Sequence, residues 1–248
     1  MIPSMRAVRI LVAARAACDI AAKKLDRRSR YLKAARVRIL GSEQFVTQSV
    51  PVPLGNGEVH VWFFAHWPIA RNSARSPAIR EYLAHYLDTE TANVQIDLES
   101  NGKPRVRGGG LYFNVSHSGD AMLLAVSRNH DIGIDLEFSR RTRPVVELAQ
   151  RWFDPAEAAV LQSLPEPAAQ TAFLRLWTCK EAALKTDGGG ISSGLHRIVF
   201  TLNGLGEVAE AVDRTWRVVG LEPATNYIGA VAWKGPDLPV STFIAAAR

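Results

Sequence analysis

The chain of 248 residues has only two cysteines, Cys18 and Cys179, and neither belongs to a CxxC pair or stands near clustered histidines. This excludes a disulfide framework and a cysteine-built zinc module, so a reducing, cytoplasmic setting is the expectation. No run of about 18 consecutive apolar residues occurs, so no membrane span is expected. No secretory leader is expected either, because Arg15 breaks the one apolar stretch, 10–17, that could serve as its core. Nor is there a basic surplus beyond the N-terminus. Residues 1–57 carry 11 Lys/Arg against 3 Asp/Glu, which leaves 19 against 21 for residues 58–248 of a chain whose formal charge is +6. The larger part therefore lacks the charge to hold a polyanion, and no nucleic-acid partner is expected.

What remains is an ordinary globular composition, 47% hydrophobic and 22% charged. Residues 1–57 read as a basic, alanine-rich extension, disordered or helical, ending in a linker with Pro51, Pro53, Gly55 and Gly57. Its composition also resembles that of an organelle-targeting peptide. From 59–65 onward aromatic and β-branched residues predict a strand, and the spacing of Ile79, Leu83, Tyr86 and Leu87 predicts a helix over 76–87. Further strands are predicted at 94–98, 111–115, 122–127 and 132–137, with a turn at Gly102-Lys103-Pro104. Helices near 144–163 and 167–186 follow, then strands near 197–202, 215–221 and 227–233. The order implies an α+β protein of two similar lobes, 58–137 and 138–248, each with helices packed on a mostly antiparallel sheet.

Three short segments carry chemistry. In Ile132-Gly133-Ile134-Asp135-Leu136-Glu137 the two acids stand two apart on a strand and so face the same way. Paired anions call for a cation, and Mg²⁺ prefers oxygen ligands shared with phosphates. Alone, the same acids also fit an exposed strand face. Trp177-Thr178-Cys179-Lys180-Glu181-Ala182-Ala183-Leu184-Lys185 places Glu181 and Lys185 one helical turn apart, which alone fits a solvated i, i+4 ion pair. In Asn114-Val115-Ser116-His117-Ser118-Gly119, hydroxyls, an imidazole and backbone amides could grip a phosphate, or could serve the turn alone.

Taken in order, these segments resemble the larger, single-chain, two-lobed class of 4'-phosphopantetheinyl transferases, the surfactin-synthetase-activating type. That family's pattern is G-[IV]-D-x-E, about forty residues, then [FW]-[SCT]-x-K-E-[AS]-x-x-K. Here Asp135 and Trp177 are 42 positions apart, and Trp177 to Lys185 agrees at every defined position. Asn114 to Ser118 and Gly102 to Pro104 match two further family elements, and the likeness spans residues 58–235. The resemblance implies a pseudo-twofold α+β fold and Mg²⁺-dependent transfer of phosphopantetheine from coenzyme A to a serine of an apo acyl or peptidyl carrier protein. It implies Asp135, Glu137 and Glu181 as metal ligands, with Asp135, Glu181 and Lys185 catalytic. Lys185, Ser116 and His117 would meet the phosphates, Lys103 the adenosine end, and Arg75 and Ser76 the 3'-phosphate.

Only residues 66–74 stand where the family has a longer basic stretch. Either Arg71 and Arg75 hold the 3'-phosphate alone, or the basic N-terminus assists. Arg140, Arg141 and Arg143 could meet an acidic carrier or form a solvated loop. A monomer is expected. Two rivals remain: a metal-dependent nuclease, whose E-x-K acid and lysine stand two apart on a strand, and a non-catalytic scaffold that binds coenzyme A or a carrier.

Overall fold

The computed structural model describes residues 36–67, 73–140, 142–189, 194–212 and 214–246, with Ser73 and Glu210 described by backbone alone. In chain order the elements are β1 (Arg38–Gly41), β2 (Phe45–Gln48), β3 (Val59–Phe64), α1 (Pro77–Leu87), β4 (Ile96–Leu98) and β5 (Pro104–Val106). Next come β6 (Tyr112–Ser118), β7 (Ala121–Ser127), β8 (Ile132–Phe138), α2 (Val145–Trp152), α3 (Pro155–Ser163) and α4 (Glu166–Thr186). The chain continues through β9 (Phe200–Leu202), β10 (Val208–Ala211), β11 (Trp216–Glu222), β12 (Tyr227–Lys234) and β13 (Val240–Ala245).

Two larger sheets dominate, with strand orders β2-β13-β3-β7-β6 and β1-β11-β12-β8. Each strand's two-residue alternation decides what it faces. Val59, Val61 and Phe63 of β3 and Leu123 and Ala125 of β7 point inward to meet Ile132, Ile134 and Leu136 of β8 and Val231 and Trp233 of β12. The intervening Trp62, Phe64, Met122, Leu124 and Val126 face α1, whose Ile79, Leu83 and Tyr86 complete that layer. On the far face, Ile228, Ala230 and Ala232 of β12 pack with Phe173, Leu176, Ala182 and Ala183 of α4. The layers therefore run helix, sheet, sheet, helix. By alternation the odd-numbered residues of β8, Gly133, Asp135 and Glu137, face α4.

The α+β class is as expected, but strand membership differs from a division at 137. The sheets are mixed, since β1 runs parallel to β11 and β13 runs parallel to both β2 and β3. Residues 240–245 thus lie in the sheet of β3, and residues 38–41 lie in the sheet of β12. Of the extension expected over 1–57, residues 1–35 lie outside the described residues, whereas 38–41 and 45–48 are strands. Alternation in a sequence reports which face of a strand is buried but not which strand lies beside it.

The helix expected over 144–163 is two. Phe153 leaves the helical path, Asp154 caps α3 by accepting from the Ala156 N–H at 2.8 Å, and Pro155 starts the new helix. Glu157 closes that cap and also reaches inward. Its carboxylate accepts from the Phe200 N–H at 2.8 Å and pairs with Lys180 at 2.8 Å, both side chains being almost fully buried. Lys180 also donates to the Leu195 carbonyl at 3.1 Å and to the Ile198 carbonyl. Burial lowers the lysine's pKa and raises the glutamate's, each opposed by the other's charge.

Lys180 precedes Glu181, so this pair anchors α4 where the functional residues leave it. Removing one member of a buried pair strands the other's charge, so Lys180→Ala should lose about 3–5 kcal/mol of stability in a urea titration. Lys180→Met with Glu157→Leu should recover part of that loss. A single variant as stable as the parent would contradict the anchor.

Candidate active site

Gly133 decides how closely α4 approaches the sheet. A Cβ there would lie 2.0 Å from the Ala182 carbonyl oxygen and 2.6 Å from the Thr186 amide nitrogen, so any side chain would lift the helix. With hydrogen alone in that place the helix lies against β8. Thr186 Oγ1 then donates to the carbonyls of Ala182 and Ala232, at 3.0 and 3.2 Å, which ties the helix end to β12.

β8 is an edge strand, and its outward N–H groups need acceptors. β6, the edge of the other sheet, supplies them from alternate side chains. Asn114 Oδ1 accepts from the Ile134 N–H at 3.1 Å, Ser116 Oγ from the Leu136 N–H at 3.3 Å, and Ser118 Oγ from the Phe138 N–H at 2.9 Å. The Asn-x-Ser-x-Ser spacing matches the strand repeat on both sides. Asn114 and Ser118 were not among the expected site residues. Their signal was three hydrogen-bonding side chains at alternate positions of one strand.

Within this frame Ser116, Asp135 and Lys185 come together. The Ser116 hydroxyl donates to Asp135 Oδ1 at 2.9 Å. The Lys185 ammonium donates to the same carboxylate oxygen at 2.6 Å, to Ser116 Oγ at 3.1 Å and to the Ile134 carbonyl at 3.2 Å. Its three donors meet three acceptors. The lysine therefore pairs across to the strand and does not form the solvated helix pair with Glu181. Glu181 itself is buried.

Two carboxylate oxygens in this cluster, Asp135 Oδ2 and Glu181 Oε1, are buried with no hydrogen-bond partner. An orphaned anionic oxygen is costly to bury, so both invite a cation or a proton. Burial is the main cause that pushes the Glu181 carboxyl up to about 7, the Asp135 charge adds to it, Lys185 opposes it and Glu137 adds a little more. Glu137 points to the same face and is held by Arg143, whose Nη2 donates to Glu137 Oε2 at 2.6 Å. Asp135 and Glu181 fit a hard divalent cation by their oxygen chemistry and their free oxygens. Among the described residues no three acids, thiols or imidazoles converge on a ready cage, and Glu137 is engaged by Arg143.

The other expected residues are placed differently. His117 is exposed and, by alternation, faces away from Ser116. Ser76 caps α1, its Oγ accepting from the Ile79 N–H at 3.3 Å. Arg75 is exposed on a short helical turn, Ser73–Arg75, that packs against β6. Lys103, expected at the adenosine end, has a side chain only 2% exposed. It pairs with Asp131 at 2.8 Å and donates to the Thr186 carbonyl. This placement has a physical reason: the last carbonyls of a helix need donors, and a buried ammonium beside an aspartate supplies one. Arg140 is exposed, while Arg71 and Arg141 lie outside the described residues. Glu181 and Lys185 both stand on α4, so the strand-borne E-x-K arrangement of a nuclease does not describe them.

The sequence profile of the 4'-phosphopantetheinyl transferase superfamily matches residues 131–232, the stretch that holds Asp135, Glu137, Glu181 and Lys185. Over 169 residues the chain is 40% identical to the 4'-phosphopantetheinyl transferase HetI of Nostoc sp., covering 66% of this chain and 71% of that protein. It is 28% identical over 166 residues to the 4'-phosphopantetheinyl transferase Sfp of Bacillus subtilis, covering 65% and 72%. The 4'-phosphopantetheinyl transferase gsp of Aneurinibacillus migulanus is 34% identical over 113 residues, 46% of each chain.

The contact at Gly133 is directly testable. Gly133→Ala should cost about 1–3 kcal/mol or more, since the added methyl must displace helix backbone. Thermal denaturation reads the loss, and an unchanged melting temperature would mean that the helix does not rest on β8 this closely.

Proposed function

This chain belongs to the 4'-phosphopantetheinyl transferase superfamily, and on that premise we propose that Asp135 and Glu181, with Glu137, hold Mg²⁺ at the site where coenzyme A is consumed. As a member of the family it is a transferase that moves the 4'-phosphopantetheine group of coenzyme A to a carrier-protein serine. The observation that carries the residue assignment is the pair of partnerless buried oxygens, Asp135 Oδ2 on β8 and Glu181 Oε1 on α4, beside the Lys185 ammonium.

In this reading the serine hydroxyl oxygen of an apo acyl or peptidyl carrier protein bonds to the β-phosphorus of coenzyme A. The bond from that phosphorus to the bridging oxygen breaks, and 3',5'-ADP departs with the electron pair. Such phosphoryl-type transfers depend on positioning and charge neutralisation more than on covalent help from the protein. Bound Mg²⁺ would supply Lewis-acid neutralisation of the diphosphate. Lys185, set by Asp135 and Ser116, presents its ammonium to the same charge. Glu181, buried beside Asp135 with Oε1 unpartnered, is placed to accept the serine proton on an oxygen of its own. Ser116 orients Asp135 and Lys185 through its hydroxyl. His117 and Arg75 remain the exposed groups for the nucleotide phosphates, with Ser76 at the N-terminus of α1.

We read the two stacked sheets as the lobes of the larger class, working as a monomer in the cytoplasm on an acidic, helical carrier, with no nucleic-acid partner. No helix among the described residues is long and apolar enough to cross a membrane.

The deciding experiment incubates the protein with fluorescent coenzyme A, Mg²⁺ and an apo carrier, and follows covalent labelling of the carrier. The parent should label it, which a coenzyme A-binding scaffold or a nuclease would not do. Asp135→Ala and Glu181→Ala should each slow labelling by at least about 10²-fold, on the scale of losing one preorganised electrostatic contact. Near-normal labelling by either variant would remove that residue from the site.

A further inference from the structure

Glu137 has a partner that neither the motif nor the chemistry of transfer calls for. Arg143, at the start of the segment leading into α2, reaches back across β8 and donates from Nη2 to Glu137 Oε2 at 2.6 Å. The contact is half sheltered, the two side chains being 26% and 17% exposed. It is also held from behind. Gln170 of α4 donates from Nε2 to the Arg143 carbonyl at 2.6 Å and to Glu166 Oε1 at 2.9 Å, and its own Oε1 receives the Arg143 N–H at 3.4 Å. The guanidinium is therefore delivered to one carboxylate by a backbone anchored on the helix that carries Glu181.

A parallel arrangement exists at the neighbouring acid, where Lys185 covers Asp135 Oδ1. The two strand carboxylates are thus each met by one fixed cation of the chain. The difference lies in what remains free. Asp135 has its other oxygen, Oδ2, buried without a partner, whereas Glu137 is partly exposed and is met by the arginine on Oε2.

We propose that Arg143 is the built-in counter-ion of Glu137 and competes with the divalent cation for it, so that metal entry releases the guanidinium toward the diphosphate of coenzyme A. The inference rests on the assignment of Glu137 as a metal ligand. A guanidinium is a fixed positive charge whose fork suits carboxylate and phosphate alike, so moving from one to the other keeps its hydrogen bonds satisfied. Arg143 is in this sense a positioning residue in the metal-free chain and a binding residue once substrate is present. The exchange would couple metal and substrate: the cation displaces the arginine, and the anion takes it up.

The test uses the full chain with Arg143→Gln and Arg143→Lys, titrated calorimetrically with Mg²⁺ alone and then with coenzyme A at saturating Mg²⁺. Removing a fixed positive charge from beside the ion should tighten Mg²⁺ binding in Arg143→Gln by about tenfold, and coenzyme A should bind about tenfold more weakly. Arg143→Lys, which keeps the charge but not the fork, should fall between parent and Gln variant in both titrations. A residue needed only for folding would weaken both ligands together. Unchanged or weaker Mg²⁺ binding by Arg143→Gln, or unchanged coenzyme A binding, overturns the exchange while leaving the metal site of the parent intact. A parent that binds no Mg²⁺ would instead overturn the metal site itself, and the exchange with it.

Discussion

Two sheet edges meet in this protein without pairing as strands. The outward N–H groups of β8 would be left wanting at the junction, and a buried edge in that condition is not stable. Asn114, Ser116 and Ser118 of β6 resolve it by accepting those N–H groups with their side chains. The junction is consequently held at side-chain length, and its middle member is free to do something further. Ser116 spends its one proton on Asp135 and accepts from Lys185. The same hydroxyl therefore serves the architecture and sets the acid and the lysine of the site.

The opposite face of β8 is governed by the absence of a side chain. Gly133 lets α4 settle on the strand, and this close contact brings Glu181 and Lys185 to the level of Asp135. The buried Lys180–Glu157 pair and the Lys103–Asp131 pair hold the helix at two further points, one inside the helical layer and one at its C-terminal end. Both pairs use charged groups that resemble functional residues in sequence. The burial of Lys180, Glu157 and Lys103 against fixed partners shows the difference.

Electrostatically the site is short of positive charge in a particular way. Lys185 and Arg143 each answer one strand carboxylate, and Glu181, buried close to both acids, is left with a carboxyl pushed up to about 7. This arrangement supports the proposed site, where a diphosphate with a divalent ion would bring both signs of charge to the cluster. Under the proposed metal assignment, Asp135 and Glu181 each have a buried oxygen without a partner, while Glu137 is already paired with Arg143 through Oε2.

The α+β class, most of the strands between 59 and 233, and the grouping of Asp135, Glu181 and Lys185 were legible in the sequence. Hydrophobic periodicity reports burial, and the motif spacing survives any detail of packing. Tertiary structure alone decided that β13 inserts between β2 and β3, that β1 joins the other sheet, and that Lys103 caps a helix. It alone also decided that Arg143 takes Glu137. Strand neighbours and ion partners are set by which surfaces meet in three dimensions, and residues 103 and 131, or 137 and 143, carry no periodic mark of their pairing. A chain's local pattern dictates which face each side chain occupies; only the folded packing dictates what waits on that face.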